Sequence, residues 1–266
     1  MTINSIGDGA IMVLKADDVK QKVSLSHQIS ELWFNGELKQ NYPNSPPTRP
    51  GRPQKPELIA PQNMPRRRNA KARAARIAML HAIGHIELNA IDLAWDIIAR
   101  FGDLMPKKFN DDWVKVADDE ARHFDLINGR LLEYDSFYGA LPAHDGLWQS
   151  AEYTAHDLLA RLAIVPLVLE ARGLDVTPKI IENFKASGDQ KSVEALNIIY
   201  QEEISHVGAG FYWFNYLCDQ KNLPAEATYQ ALVTKYFTGS LKPPFNIEAR
   251  NKAGFMESFY QPLSKR

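Results

Sequence analysis

Two short segments of the sequence each contain a glutamate followed three residues later by a histidine. Glu120 precedes His123 in DEARHFD, and Glu203 precedes His206 in EEISHVG. Positions i and i+3 of an α-helix lie on one side of it, so each pair can offer a carboxylate oxygen and an imidazole nitrogen to one metal ion. The two pairs are 83 residues apart. They are either the two halves of one site or a coincidence of composition.

A lone glutamate interrupts the apolar side of each helical segment that precedes these pairs. Glu87, in HIELNAIDLAWD, and Glu170, in LVLEARGLD, both lie in line with apolar residues at helical spacing. Glu87 precedes Glu120 by 33 residues, and Glu170 precedes Glu203 by 33. A buried carboxylate is costly unless it is paired or bound to a metal ion. The spacing therefore indicates two helix pairs, each with a glutamate on one helix and Glu-x-x-His on the next.

This pattern is the ligand set of a dinuclear carboxylate centre, in which two helices give one glutamate each and two give Glu-x-x-His. The predicted metal ligands are Glu87, Glu120, His123, Glu170, Glu203 and His206. Four carboxylates offset the charge of two divalent ions. The mixture of oxygen and nitrogen donors favours iron or manganese over calcium or structural zinc. We therefore expect two transition-metal ions as cofactors, with iron ahead of manganese.

The elements that must position these residues are helices, because apolar residues recur at helical spacing and no segment shows convincing strand alternation. The predicted helices are residues 16–38, 67–100, 111–133, 147–172, which Gly173 ends, and 191–220. The last four have lengths that suit a four-helix bundle. We expect an all-α fold with an N-terminal helix and Pro-rich strap (1–65), the bundle (66–222) and a C-terminal tail that packs on the bundle (223–266), as a single domain overall.

The chain contains six longer segments that are distinctive as a set: HAIGHIELNAIDLAWD, DDWVKVADDEARHFDLI, YGALPAHDGLW, RLAIVPLVLEARGLDVTP, IIYQEEISHVGAG and LKPPFNIEARNKAGF. Together they resemble the DUF455 family of uncharacterised ferritin-like proteins. The resemblance runs from the strap to the tail and implies a ferritin-like four-helix bundle with a dimetal centre. It implies the same six ligands, with no departure at those positions. The family has no settled activity, and the tRNA hydroxylases of the same superfamily are a more distant analogy that does not transfer function.

Three further residues lie near the predicted ligands. Tyr200 precedes Glu203 by three residues, and we predict that it lines a substrate pocket or donates to bound oxygen, with core packing as the alternative. Pro166 precedes Glu170 by four residues and should kink its helix, because proline removes a backbone donor. His85 lies two residues before Glu87, so it faces elsewhere, and we expect it to pack or to support a ligand.

The composition of the chain restricts the classes of binding partner that can be expected. The chain has a formal net charge of -1 and one cysteine, so bulk charge does not indicate nucleic-acid binding, and a disulfide framework is excluded. The stretch from Pro46 to Arg76 contains nine basic residues against Glu57 alone. It is interpreted as a solvated or ion-paired surface, with an anionic substrate or RNA as the alternative. No signal peptide or membrane helix is indicated, and we expect a cytoplasmic monomer or small homo-oligomer.

The leading functional hypothesis is an oxygen-dependent oxidoreductase that uses molecular oxygen and a small-molecule substrate of unknown identity. A substrate that is a modified tRNA base is included in this hypothesis. The second hypothesis is a metal-binding or iron-oxidising protein without an organic substrate. The third is a purely structural bundle, which is disfavoured because four buried glutamates against two histidines would leave excess negative charge.

Overall fold

A computed structural model describes residues 3–64 and 72–264 of the chain. Among these residues there is no β-strand, only isolated β-bridges, so the all-α class is confirmed. The α-helices are α1 (Ile6–Lys15), α2 (Val19–Phe34), α3 (Arg73–Phe101), α4 (Lys107–Glu133), α5 (Gly146–Tyr153), α6 (Leu158–Ile164), α7 (Ala171–Ala186), α8 (Gln190–Gln220), α9 (Ala225–Tyr236), α10 (Ile247–Lys252) and α11 (Glu257–Tyr260). A segment of π-helix, Val165–Glu170, joins α6 to α7.

The chain divides into two compact units. The first consists of Met1–Trp148 and Ala186–Ala195, and the second of Gln149–Lys185 and Leu196–Arg266. Each predicted ligand pair and its partner glutamate fall within a single unit. The expected division into strap, bundle and tail stays a prediction.

In the first unit, α3 packs along α4, and α1 and α2 cover them. The helix α3 is rich in alanine, leucine and isoleucine on most of its sides, so it is buried almost all round, as expected of a central helix. Trp95 on α3 and Trp113 on α4 are fully buried. Of the predicted helix 67–100, residues up to 71 lie outside the described part of the chain. The helix 111–133 starts four residues earlier than predicted.

The predicted N-terminal helix 16–38 is wrong in its bounds. The structure has two helices here, because the chain turns at Ala16 and the side chain of Asp18 accepts a hydrogen bond from Gln21 N at 2.8 Å, which starts α2. The preceding helix α1 starts at a similar cap, in which Ser5 Oγ accepts from Asp8 N. A side-chain oxygen at the N-cap satisfies a backbone N–H that has no partner inside the helix.

The Pro-rich segment is a strap on the first unit. It is extended apart from a single turn of 3₁₀-helix at Pro61–Asn63. Gly51 N donates to Leu14 O at 2.7 Å, and Arg100 Nη2 donates to Pro47 O at 2.6 Å. These hydrogen bonds hold the strap against α1 and α3.

The predicted single helix 147–172 is also wrong. Thr154 Oγ1 donates back to Ser150 O, and Asp157 accepts from Leu159 N, so α5 ends and α6 begins between them. Gly173 does not end the following helix, because glycine inside a helix costs only about 1 kcal/mol relative to alanine. The fourth predicted helix, 191–220, matches α8 within one residue.

The tail of the second unit is helical over α9, α10 and α11 and packs through aromatic rings. Tyr229, Phe255, Phe259 and Tyr260 are buried and meet one another edge to face or tilted. Offset and edge-to-face ring pairs stabilise such clusters beyond the area that they bury.

None of the helices in the described ranges is both long enough and apolar enough to cross a membrane.

Candidate metal centre

The first half of the predicted site is assembled in the first unit. Glu87 lies on α3, while Glu120 and His123 lie one turn apart on α4, and all three are at most 4% exposed. Each offers one ligand atom, and these atoms lie within 4.8 Å of one another. His123 Nδ1 is 3.4 Å from Glu120 Oε2 and 3.5 Å from Glu87 Oε2. Helical spacing on α4 and close packing of α3 against α4 therefore bring together side chains that are 33 residues apart in sequence.

The electrostatics of this half are dominated by its carboxylates. Burial by itself lowers the pKa of His123, but the adjacent carboxylates of Glu120 and Glu87 outweigh it and raise the pKa to about 11. An imidazole with so high a pKa sits in a strongly negative local potential. Buried carboxylates are costly inside a protein unless cationic groups or a metal ion lie beside them.

A metal cation would fit this group. The donor set contains carboxylate oxygens and an imidazole nitrogen, which suits divalent transition metals, and it has no thiolate. A bound cation would interact favourably with the two carboxylates and displace the proton from His123, since a ligating imidazole nitrogen cannot carry one. Glu87, Glu120 and His123 thus form a buried cluster able to hold a metal ion.

The second half of the predicted site lies in the second unit. Glu203 and His206 are one turn apart on α8, with His206 Nδ1 3.6 Å from Glu203 Oε1. The His206 side chain is buried, whereas the Glu203 side chain is 14% exposed. Glu170 is the last residue of the π segment and is partly buried. The same residue types therefore recur here, but the lone glutamate lies at the end of a π segment and not within an α-helix.

The backbone irregularity predicted at Pro166 takes the form of the π segment Val165–Glu170. Proline removes a backbone donor, which favours such a departure from α-helical hydrogen bonding. A Cβ on Gly210 of α8 would lie 2.4 Å from Pro166 Cβ, so only glycine permits this approach. Tyr229 Oη donates to Leu167 O at 3.3 Å, which satisfies a carbonyl of the segment. Glu170 thus follows a backbone distortion that neighbouring residues hold in place.

Tyr200 has a hydrogen-bond partner in the tail. Asn246 Nδ2 donates to Tyr200 Oη at 2.8 Å, and Asn246 also caps α10 by accepting from Ala249 N. This contact gives the hydroxyl of Tyr200 a role in holding the start of α10. A catalytic role for Tyr200 stays a prediction.

His85 makes hydrogen bonds through both ring nitrogens. Nδ1 lies 2.8 Å from Tyr138 Oη, and Nε2 lies 3.0 Å from His144 O. Burial lowers the pKa of His85 to about 4, so the ring is neutral. A neutral imidazole can donate from Nε2 to the carbonyl and accept at Nδ1 from the phenol. These contacts agree with the expectation that His85 packs and does not ligate.

The sequence of the chain is similar to a protein family and to a relative of known sequence. The model of the family described as "Protein of unknown function (DUF455)" matches residues 15–261. The chain belongs to the DUF455 family. A Haemophilus influenzae relative named "Uncharacterized protein" is 41% identical over 211 residues, which cover 77% of this chain and 73% of the relative. No solved structure matches the chain. The DUF455 assignment agrees with the resemblance and provides no activity, so a function has to be inferred from the side chains of the site.

Two buried carboxylates of this DUF455 protein recur at the repeat spacing but were not predicted from the sequence. Asp92 on α3 and Asp175 on α7 have side chains that are 0% exposed. The signal was present, because the two aspartates are 83 residues apart and each follows a lone glutamate by five residues. The internal repeat therefore extends beyond the predicted metal ligands.

The basic stretch of the strap is largely ion-paired where it is described. Arg49 pairs with Asp145, Arg52 lies 3.3 Å from Asp92, and Arg73 lies 2.9 Å from Asp135. The triple arginine at residues 66–68 lies outside the described residues. An anionic partner for this stretch stays a prediction.

Proposed function

We propose that this DUF455 protein is a ferritin-like dinuclear metal protein that acts as an oxygen-dependent oxidoreductase. The observation that carries the proposal is the buried cluster of Glu87, Glu120 and His123, in which two carboxylates and an imidazole each offer a ligand atom within 4.8 Å of the others. The repeat at 83 residues supplies the other half of the ligand set from Glu170, Glu203 and His206. In the proposal, these six residues together bind two ions.

The metal ions, with iron ahead of manganese, would supply the reduction of molecular oxygen and the oxidation of a nearby substrate when bound. The residues of the chain hold and shield the site. The glutamates provide anionic oxygen donors, and His123 and His206 provide nitrogen donors in their neutral form. The buried side chains around Glu120 exclude water, which strengthens every charge interaction there.

The proposal gives the chemical class of the substrate and not its identity. It is a small organic molecule or, as the alternative, a modified base of an RNA. The same ligand set would also serve a protein that binds or oxidises iron without an organic substrate. Oxygen consumption that yields mineral and no organic product would favour that alternative.

Metal loading tests the proposal directly. The purified chain is incubated without oxygen with ferrous or manganous ions, freed of unbound metal and analysed for elemental content. We expect two ions per wild-type chain. Glu120→Ala and Glu203→Ala should each abolish dinuclear loading, because each removes an anionic donor from the proposed centre.

A matched control comes from the surface of α8. Glu194 is exposed on the same helix as Glu203, so Glu194→Ala removes a carboxylate without touching the ligand set and should leave two ions bound. A wild-type chain without bound metal, or ligand variants that still bind two ions, would contradict the proposal.

A further inference from the structure

Asp92 of the first unit is held by a buried cation from outside the α3–α4 pair. Lys22 on α2 donates from Nζ to Asp92 Oδ1, and the two side chains are 1% and 0% exposed. Lys22 Nζ also donates to Val13 O at 3.1 Å. Arg52 of the strap lies 3.3 Å from Asp92 Oδ2. The carboxylate therefore links α3 to α1, α2 and the strap.

Asp175 of the second unit is held in the same way. Arg250 on α10 donates from Nε to Asp175 Oδ1 at 2.9 Å and from Nη2 to Oδ2 at 2.7 Å, and these side chains are 4% and 0% exposed. Arg250 Nη2 also donates to Ala171 O at 3.2 Å. A second arginine, Arg172, lies 3.4 Å from Asp175 Oδ2. The carboxylate links α7 to the tail.

The two ion pairs are equivalent within the repeat. Each aspartate follows its lone glutamate by five residues, each is met by one buried cation, and each has a second arginine at 3.3–3.4 Å. The buried cations are Lys22 and Arg250, which lie outside the repeated segments. Two halves of the chain have thus reached the same arrangement with cations from opposite ends of the sequence.

The geometry of a helix explains what such a pair can do. Five residues advance an α-helix by about 7.5 Å and turn it by about 140°, so Asp92 faces away from the side on which Glu87 lies. A charge-assisted hydrogen bond to a buried cation has a narrow range of good geometries. Fixing the aspartate therefore fixes the rotation of the helix about its axis, and with it the direction of the glutamate.

We propose that Lys22–Asp92 and Arg250–Asp175 are equivalent orienting ion pairs that aim Glu87 and Glu170 at the metal centre. Asp92 and Asp175 are positioning residues, because they act through the helix and do not touch the metal. This inference rests on the proposed dinuclear function.

The test compares three charge-removing variants. Asp92→Asn and Asp175→Asn remove the proposed orienting charge. Asp96→Asn is the matched control, because Asp96 is also a fully buried aspartate on α3, bound through both oxygens by Arg100, but the repeat places Lys179 at its equivalent position. Each protein is titrated with Co²⁺ without oxygen, and the visible absorption bands report both affinity and coordination geometry.

We expect Asp92→Asn and Asp175→Asn each to weaken the binding of one Co²⁺ by roughly tenfold or more and to alter its absorption bands. Asp96→Asn should keep the wild-type affinity and spectrum. If the wild type binds two Co²⁺ ions, two results would overturn the orienting role alone. One is wild-type Co²⁺ affinity in both Asp92→Asn and Asp175→Asn, and the other is an equal loss of affinity in Asp96→Asn. A wild type that binds no Co²⁺ would overturn the proposed function and this inference together.

A second variant separates orientation from folding. Lys22→Met combined with Asp92→Leu replaces the pair by apolar side chains, a change that often preserves stability. We expect this double variant to fold, as measured by circular dichroism and thermal unfolding, and still to bind one Co²⁺ roughly tenfold more weakly. Restored wild-type affinity and spectrum in the double variant would show that the pair serves only folding.

Discussion

The two half-sites carry the same residue types at the same spacing on different backbones. Glu87 lies on the uninterrupted helix α3, whereas Glu170 ends a π segment that contains Pro166. Four residues before each glutamate, the first half has the buried Ile83 where the second has Pro166. The two halves thus share the predicted ligands and the buried aspartates five residues after each lone glutamate, but they differ in the local path of the backbone.

The partner helix explains how the second half accommodates this change. Ile127 on α4 is fully buried, and the equivalent position on α8 is Gly210, which lets the ring of Pro166 approach. The second half is also the more open of the two, since the Glu203 side chain is 14% exposed and the Glu120 side chain 1%. We therefore expect two metal positions that differ in affinity and in response to substitution.

The largest expected effect comes from removing each histidine. In the metal-free protein the protonated His123 lies between two buried carboxylates, so His123→Ala should cost about 3–5 kcal/mol of unfolding free energy. His206 faces the partly exposed Glu203, and His206→Ala should cost less, about 1–3 kcal/mol. Each variant should also lose one of two bound ions. Denaturant unfolding of the metal-free proteins measures the first difference, and elemental analysis the second.

Equal losses of stability in the two histidine variants would contradict this comparison. They would mean that the two halves are electrostatically alike in spite of their different burial. A loss confined to His206→Ala would reverse the order of the two halves.

An intermediate effect is expected at the π segment. In Gly210→Ala the added Cβ would lie 2.4 Å from Pro166 Cβ, so the segment must shift, and overpacking of this kind costs about 1–3 kcal/mol. Gly129→Ala on α4 is the control, because no atom lies within 4 Å of its added Cβ. Alanine there should stabilise the helix by up to about 1 kcal/mol. Thermal unfolding measures both changes.

The absorption spectrum of bound Co²⁺ gives a second comparison of the same two glycine variants. Gly210→Ala should alter the absorption bands of one Co²⁺ ion, since the π segment ends at Glu170, and Gly129→Ala should alter neither. An unchanged spectrum in Gly210→Ala, together with the expected loss of stability, would show that the segment serves packing and leaves the ligand where it was.

The sequence predicted the elements in which apolar spacing dominates and missed those that polar caps decide. The helix α8 was placed within one residue, because its apolar residues keep helical spacing throughout. The break between α5 and α6 was missed because it depends on single side-chain hydrogen bonds from Thr154 and to Asp157. Such local bonds compete with the helix and leave no periodic signal.

The site shows the same division. Residue spacing alone found Glu87, Glu120 and His123, which the structure brings together in the first unit. It could not find Lys22 and Arg250 as partners of the buried aspartates, because nothing in their spacing relates them to the repeat. Contacts between distant segments depend on the fold. The repeat contains the aspartate of each ion pair but not the cation.

The smallest expected effect concerns a surface contact that only the first half has. His27 on α2 lies 2.6 Å from Asp118 on α4, and the position equivalent to Asp118 in the second half is Gln201. The hydrogen bond to Asp118 raises the pKa of His27 above its usual value near 6.5, and the charge of Asp125 adds to it. Both partners are more than one third exposed, so solvent weakens the pair.

The sign of the pH dependence follows from the raised pKa. The folded protein holds the proton of His27 more tightly than the unfolded chain, so the stabilisation is complete below about pH 6.5 and is lost as the pH rises through the folded pKa. His27→Gln should therefore lower stability by at most about 0.5 kcal/mol at pH 5.5 and leave it unchanged at pH 9. Urea unfolding at both values measures this, with Asp118→Asn expected to give the same pattern. A loss of unfolding free energy that grows with pH would mean that the charged pair of His27 and Asp118 does not stabilise the packing of α2 on α4.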